Sequence, residues 1–127
     1  MPQYMLLIYG PDAAPDPEQA AAEMPRWFQY TQELQDAGAM RAGEALHPTD
    51  SATTVRVRDG ETQITDGPFA ETKETLGGFY LIDVPDLDTA LRYAAKMPNI
   101  TYGTVEVRPV VDFSAMPAPG DQATATA

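Results

Sequence analysis

The chain contains no cysteine. That excludes disulfides, thiolate metal sites and a cysteine nucleophile, and it fits a reducing compartment. Histidine occurs once, at His47, so no zinc site of the usual kind can form. Neither a metal nor a cofactor is expected. Basic residues are scarce, eight against nineteen acidic ones, for a net charge of −11. Such a chain is repelled by nucleic acid, and the plainest reading of its acidity is solubility. No apolar run is long enough to span a bilayer, and the start Met1-Pro2-Gln3-Tyr4 lacks the basic flank of a signal peptide. The expectation is a cytoplasmic protein with no membrane or nucleic-acid partner. Phosphate loops, dinucleotide fingerprints and nucleophile elbows are absent too: Gly77-Gly78 has neither the glycine spacing nor the helix they require.

What remains suits one domain, since 127 residues can enclose one core. Tyr4-Met5-Leu6-Leu7-Ile8-Tyr9, ended by Gly10-Pro11, reads as a strand buried on both faces. Asp16-Pro17-Glu18-Gln19 marks a helix start, with Asp16 as N-cap, Pro17 in the first turn and Gln19 completing a capping box. Met24, Trp27, Phe28, Thr31 and Leu34 follow at helical spacing, and Gly38 stands where a C-terminal cap belongs. Pro25 lacks the N–H of a helix interior, which predicts a kink or a restart there, the favoured reading being a short lead-in to 23 and a main helix over 25–37. A weak strand follows over 39–46.

Thr53-Thr54-Val55-Arg56-Val57-Arg58, Asp59-Gly60 and Glu61-Thr62-Gln63-Ile64-Thr65 predict a hairpin on a type I′ turn. A two-residue loop sets Arg58 opposite Glu61, Val57 opposite Thr62, Arg56 opposite Gln63, Val55 opposite Ile64 and Thr54 opposite Thr65. Residues 79–84 read as another two-faced apolar strand. Asp86 caps a second helix bearing Leu87, Leu91, Ala94 and Ala95, stopped at Met97-Pro98, and a last strand alternates over 104–110. The domain is therefore expected over 1–113. Residues 114–127, rich in Ala, Pro, Gly and Thr, are expected to be a disordered tail.

Strand, helix, strand, inserted hairpin, strand, helix, strand is a ferredoxin-like βαββαβ pattern, an α+β fold. Both helices cover one sheet face. The other face is also apolar, and a second copy of the same sheet is its economical cover, giving a homodimer.

Between hairpin and strand runs Asp66-Gly67-Pro68-Phe69-Ala70-Glu71-Thr72-Lys73-Glu74-Thr75-Leu76-Gly77-Gly78-Phe79-Tyr80. Its acids and lysine exceed what a turn needs, which marks a candidate site. This segment resembles the signature of the DGPF group of YCII-related proteins. Tyr4 to Ile8, Gly43-Glu44-Ala45-Leu46, Val55-Arg56 and Val105 to Val110 resemble other parts of that family, over about residues 3–112. The resemblance implies a dimeric α+β barrel. It also implies a setting of small enzymes with a His–Asp dyad between helix and sheet, among them a dehydrochlorinase of chloro-aromatic breakdown. DGPF members are often encoded beside extracytoplasmic-function sigma factors, which implies a regulatory setting. The family histidine would fall near Trp27, and the first helix has no histidine, so the dyad does not carry over.

Asp66 is a candidate general base or ligand acceptor; its structural alternative is turn capping. Glu71 and Lys73, with Glu74, form a candidate polar site in which a carboxylate moves a proton and Lys73 holds negative charge. The alternative is a solvated loop of weak ion pairs. His47 has the acidity for proton transfer near neutrality, and Glu44 is placed to orient it, though a lone histidine in a strand-end loop is more often incidental. Tyr80 and Arg108 stand on strands facing the barrel interior: Tyr80 as core, Arg108 in an ion pair or clamping a carboxylate. Trp27 is helix-face core or a pocket wall. The leading expectation is a small organic ligand in a cleft beneath the 66–74 loop, with cofactor-free proton transfer of lyase or isomerase type by Asp66, Glu71 or His47. The competing one is a non-catalytic regulatory or protein-interaction module.

Overall fold

The structure is a computed structural model, and it describes residues 1–12 and 16–115. Strand β1 (Gln3–Pro11) leads into helix α1 (Pro17–Asp36) and strand β2 (Met40–Ala45). Strands β3 (Thr53–Arg58) and β4 (Glu61–Asp66) follow a single 3₁₀ turn at Thr49–Ser51. Strand β5 (Glu74–Asp83), helix α2 (Leu87–Ala95) and strand β6 (Thr104–Pro109) complete the domain. Four strands form one antiparallel sheet in the order β2-β5-β1-β6, and β3-β4 form a sheet of their own. This is a mixed α+β arrangement compatible with the ferredoxin-like pattern.

Helix α1 begins with Pro17 in its first turn, as the sequence predicts, but two expectations there need correction. Asp16 makes no side-chain cap: its carbonyl oxygen, not its carboxylate, receives the Ala20 N–H at 2.8 Å. Pro25 does not interrupt the helix. Buried Tyr30 and Leu34, one turn apart, anchor the helix on the sheet, and this tertiary packing outweighs one lost backbone bond. The C-terminus is a Schellman motif. Gly38 (φ +69°) donates to the Gln35 carbonyl, and Ala39 donates to the Leu34 carbonyl, each at 3.0 Å. Helix α2 is capped as expected: Asp86 accepts the Thr89 N–H at 2.8 Å and the Thr89 hydroxyl at 2.7 Å.

Alternation along the strands sorts their side chains. Tyr4 and Leu6 of β1 and Tyr80 and Ile82 of β5 join Tyr30, Leu34, Ala90 and Ala94 of the helices in the core. Met97, fully buried, closes it beyond α2. Met5, Leu7, Phe79 and Leu81 occupy the opposite face and are only half-buried, since no helix among the described residues lies there. The sequence placed the start of β5 at 79, whereas the strand begins at Glu74. Its first part is carried by pairing with β1, with Gly77 forming a bulge between the Ile8–Gly78 and Tyr9–Leu76 pairs.

The hairpin has the predicted register at all five pairs, and Thr53 also faces Asp66. Asp59 (φ +53°) and Gly60 (φ +80°) supply the two left-handed residues that a type I′ turn requires. The hairpin does not roof the open sheet face: among the described residues, β3 and β4 pack substantially only on each other. Of the expected tail, residues 116–127 lie outside the described residues. The short 3₁₀ turn Phe113–Ala115 precedes them.

Candidate functional site

The segment following β4 is tied to the hairpin by its backbone. Gly67 (φ +101°) donates its N–H to the Ala52 carbonyl at 2.7 Å, and its own carbonyl receives the Thr54 hydroxyl at 2.7 Å. The Arg56 guanidinium reaches the Phe69 carbonyl at 3.3 Å. The chain then crosses to β5, where the Thr72 hydroxyl donates to the Glu74 carbonyl. This path lays residues 67–73 beside the 3₁₀ turn and the end of β1, enclosing a shallow groove of about 420 Å³.

Glu71, Thr72 and Lys73 line this groove from one side, Thr49 and Asp50 from another, and Asp12 and Thr75 from the sheet. Asp12 is held in place: one carboxylate oxygen accepts the Thr49 hydroxyl, and the other accepts a long bond from the Thr75 hydroxyl at 3.5 Å. The charges are three carboxylates, on Asp12, Asp50 and Glu71, against one ammonium, on Lys73. Among the described lining residues Lys73 is the one cation, so the groove carries net negative charge.

The other sequence candidates lie elsewhere. Asp66 is the exposed last residue of β4 and is not part of the groove lining. His47 is exposed between β2 and the 3₁₀ turn, also outside the lining, and no hydrogen bond joins it to Glu44 among the described residues. Glu44 stands on edge strand β2 opposite Phe79, on the open face of the sheet. Glu74 and Arg108 share that face. Glu74 accepts the Thr104 hydroxyl at 2.8 Å, and Arg108 pairs in register with Met5 and forms no ion pair among the described residues.

Tyr80 and Trp27 belong to the layer between α1 and the sheet, where the resemblance would put a proton-transfer pocket. The Tyr80 hydroxyl shares a 2.6 Å hydrogen bond with Thr31. Its ring meets Tyr30 edge-on at 5.4 Å, and half-buried Trp27 meets Tyr30 at 6.5 Å. Tyr30 donates to the Tyr93 carbonyl at 2.8 Å, and burial pushes its phenol far above the ordinary range. Tyr30 and Tyr80 are buried there as part of the hydrophobic core, with Trp27 packed against it.

Sequence reasoning missed Asp12, Thr49 and Asp50. Asp12 reads only as a turn residue after Gly10-Pro11, and Asp12 and Thr75 are 63 residues apart. Among the described residues no cluster of His, Cys, Asp and Glu is arranged to hold a metal ion. No helix among them is long and apolar enough to cross a membrane.

Residues 2–114 match the model of the YCII-related domain. A protein of Rhizobium meliloti (strain 1021), described as uncharacterized, is 49% identical over 77 residues, which are 59% of this chain and 62% of that protein. The chain thus spans less than two thirds of the length of the curated relative it matches.

Proposed function

The chain belongs to the YCII-related family, and from that premise we propose that it binds a small organic molecule in the groove beside the 67–73 segment. A second subunit covers the open sheet face and shelters that end of the molecule. The observation that carries this reading is the meeting of Glu71 and Lys73 with Thr49, Asp50 and an anchored Asp12 in one concavity, from three separate stretches of chain. A solvated connecting loop needs no such convergence. The chemistry open to it is cofactor-free proton transfer of lyase or isomerase type. Glu71 takes the proton, and the Lys73 ammonium steadies the negative charge that develops on the substrate. Asp66 and His47, outside the groove lining, are less well placed for the proton step than Glu71.

The test is a thermal-shift screen of small hydroxylated, cationic and carboxylate compounds, repeated on Glu71→Gln and Lys73→Ala. A bona fide ligand raises the melting temperature of the parent protein and loses at least half of that rise in both variants. A ligand whose stabilisation is unchanged in both removes the groove from the site.

A second reading is a non-catalytic regulatory or interaction module. It is favoured by the exposure of Val55, Val57, Ile64 and Phe69 on the hairpin and the segment after it.

A further inference from the structure

Helices α1 and α2 border a second groove, of about 900 Å³, that shares no lining residue with the one beside 67–73. Its charged lining residues balance, Arg26 and Lys96 against Glu33 and Asp36, in a chain whose net charge is −11. The acids are already engaged. Glu33 accepts a hydrogen bond from the Lys96 ammonium at 2.5 Å, which ties one helix to the other. Asp36 accepts one from the Gln32 amide at 2.8 Å. Glu23, three residues before Arg26 and a natural partner for it, accepts the Tyr102 hydroxyl at 2.6 Å instead. Arg26 itself makes neither a hydrogen bond nor an ion pair among the described residues.

An exposed arginine by itself marks nothing. What marks this one is its place in a two-walled groove whose acids have other partners. Arg26 and Glu33 stand two turns apart on one face of α1, which leaves about 10 Å of wall between the free guanidinium and the Glu33–Lys96 pair. Tyr30, half-buried Tyr93 and buried Pro98 line the groove with rings. The Tyr30 hydroxyl spends its hydrogen on the Tyr93 carbonyl, and burial keeps that phenol neutral, so it adds no charge. A planar guanidinium grips a carboxylate through two parallel hydrogen bonds. A ligand with several negative charges would meet Glu33, Asp36 and the repulsion of the whole chain, so a single carboxylate fits best.

We propose that the groove between α1 and α2 is a second binding site, taking a small aryl monocarboxylate with its carboxylate on Arg26 and its ring against Tyr93 and Pro98. The site does not depend on the groove beside 67–73 or on the pairing of subunits.

The test is an NMR titration of the full chain with 3-phenylpropionate, with 3-phenylpropionamide as the uncharged counterpart of the same shape. The carboxylate is expected to bind saturably. The amide, and the carboxylate on Arg26→Gln, should each bind about tenfold more weakly, the worth of a charge-assisted hydrogen-bonded pair. Arg26 is exposed and without a partner, so Arg26→Gln should keep a native circular dichroism spectrum. Glu71→Gln and Lys73→Ala, in the other groove, should bind the compound as the parent does. Inorganic phosphate should not displace it. No saturable binding to the parent, or equal binding by Arg26→Gln, overturns the site. Binding that is lost in Lys73→Ala and kept in Arg26→Gln moves the compound to the other groove and overturns it too. Equal binding of the amide, or displacement by phosphate, overturns the ligand class.

Discussion

A methyl group on Gly78 would stand 2.7 Å from the Glu44 carbonyl oxygen and 3.3 Å from the Ala45 Cα. Both are backbone atoms of the neighbouring strand and cannot swing aside. The glycine is there so that β2 can approach β5 at the point where the 66–80 segment joins the sheet. Gly78→Ala should lower stability by about 1–3 kcal/mol, the usual penalty of overpacking. The signature is a lower urea midpoint with an unchanged slope. The Gly77-Gly78 pair was conspicuous in the sequence, but its purpose was not legible there. A close approach between strands exists only once the strands are paired.

The two helices show how far local rules reach at the scale of elements. Asp86 was recognisable as a cap, and its hydrogen bonds from Thr89 lower its pKa below the ordinary 3.8. With the folded value below the unfolded one, its contribution is fully present above the unfolded pKa. It is lost as pH falls through the folded pKa. Asp86→Asn keeps a cap without the titrating charge, so it should flatten the fall in melting temperature below about pH 4 while changing the neutral value little. Pro25 misled because its local penalty is real but smaller than the burial of Tyr30 and Leu34 that keeps α1 continuous through it. Pro25→Ala restores a backbone donor. The gain should be about 2 kcal/mol, the helix-interior penalty of ~3 kcal/mol less ~1 kcal/mol for a less restricted unfolded chain. Chemical denaturation reads it directly, and an unchanged midpoint would show that the missing bond is already compensated.

For the molecule as a whole, the open sheet face decides the outcome. Met5, Leu7, Phe79 and Leu81 form an apolar strip that no helix among the described residues covers. The protein should sediment as a dimer at micromolar concentration. Phe79→Lys, which puts a charge in the middle of that strip, should yield a folded monomer. A monomeric parent would refute the pairing, and with it the sheltered end of the proposed ligand site.

Sequence alone determined what depends on neighbours along the chain. The hairpin register came from Asp59-Gly60 and the alternation around it, the helix ends from Asp86, Pro17 and Gly38, and the family from one contiguous motif. Each of these is short-range, so each leaves its mark in spacing and residue type. Only the tertiary structure decided which polar residues share a groove. Glu71 and Lys73 keep company with Asp12, Thr49 and Asp50, while Asp66, His47, Tyr80 and Arg108 go elsewhere. That grouping is set by the pairing of β1 with β5 across more than sixty residues. Contacts closed over such distances leave no periodicity in the chain from which they could be read.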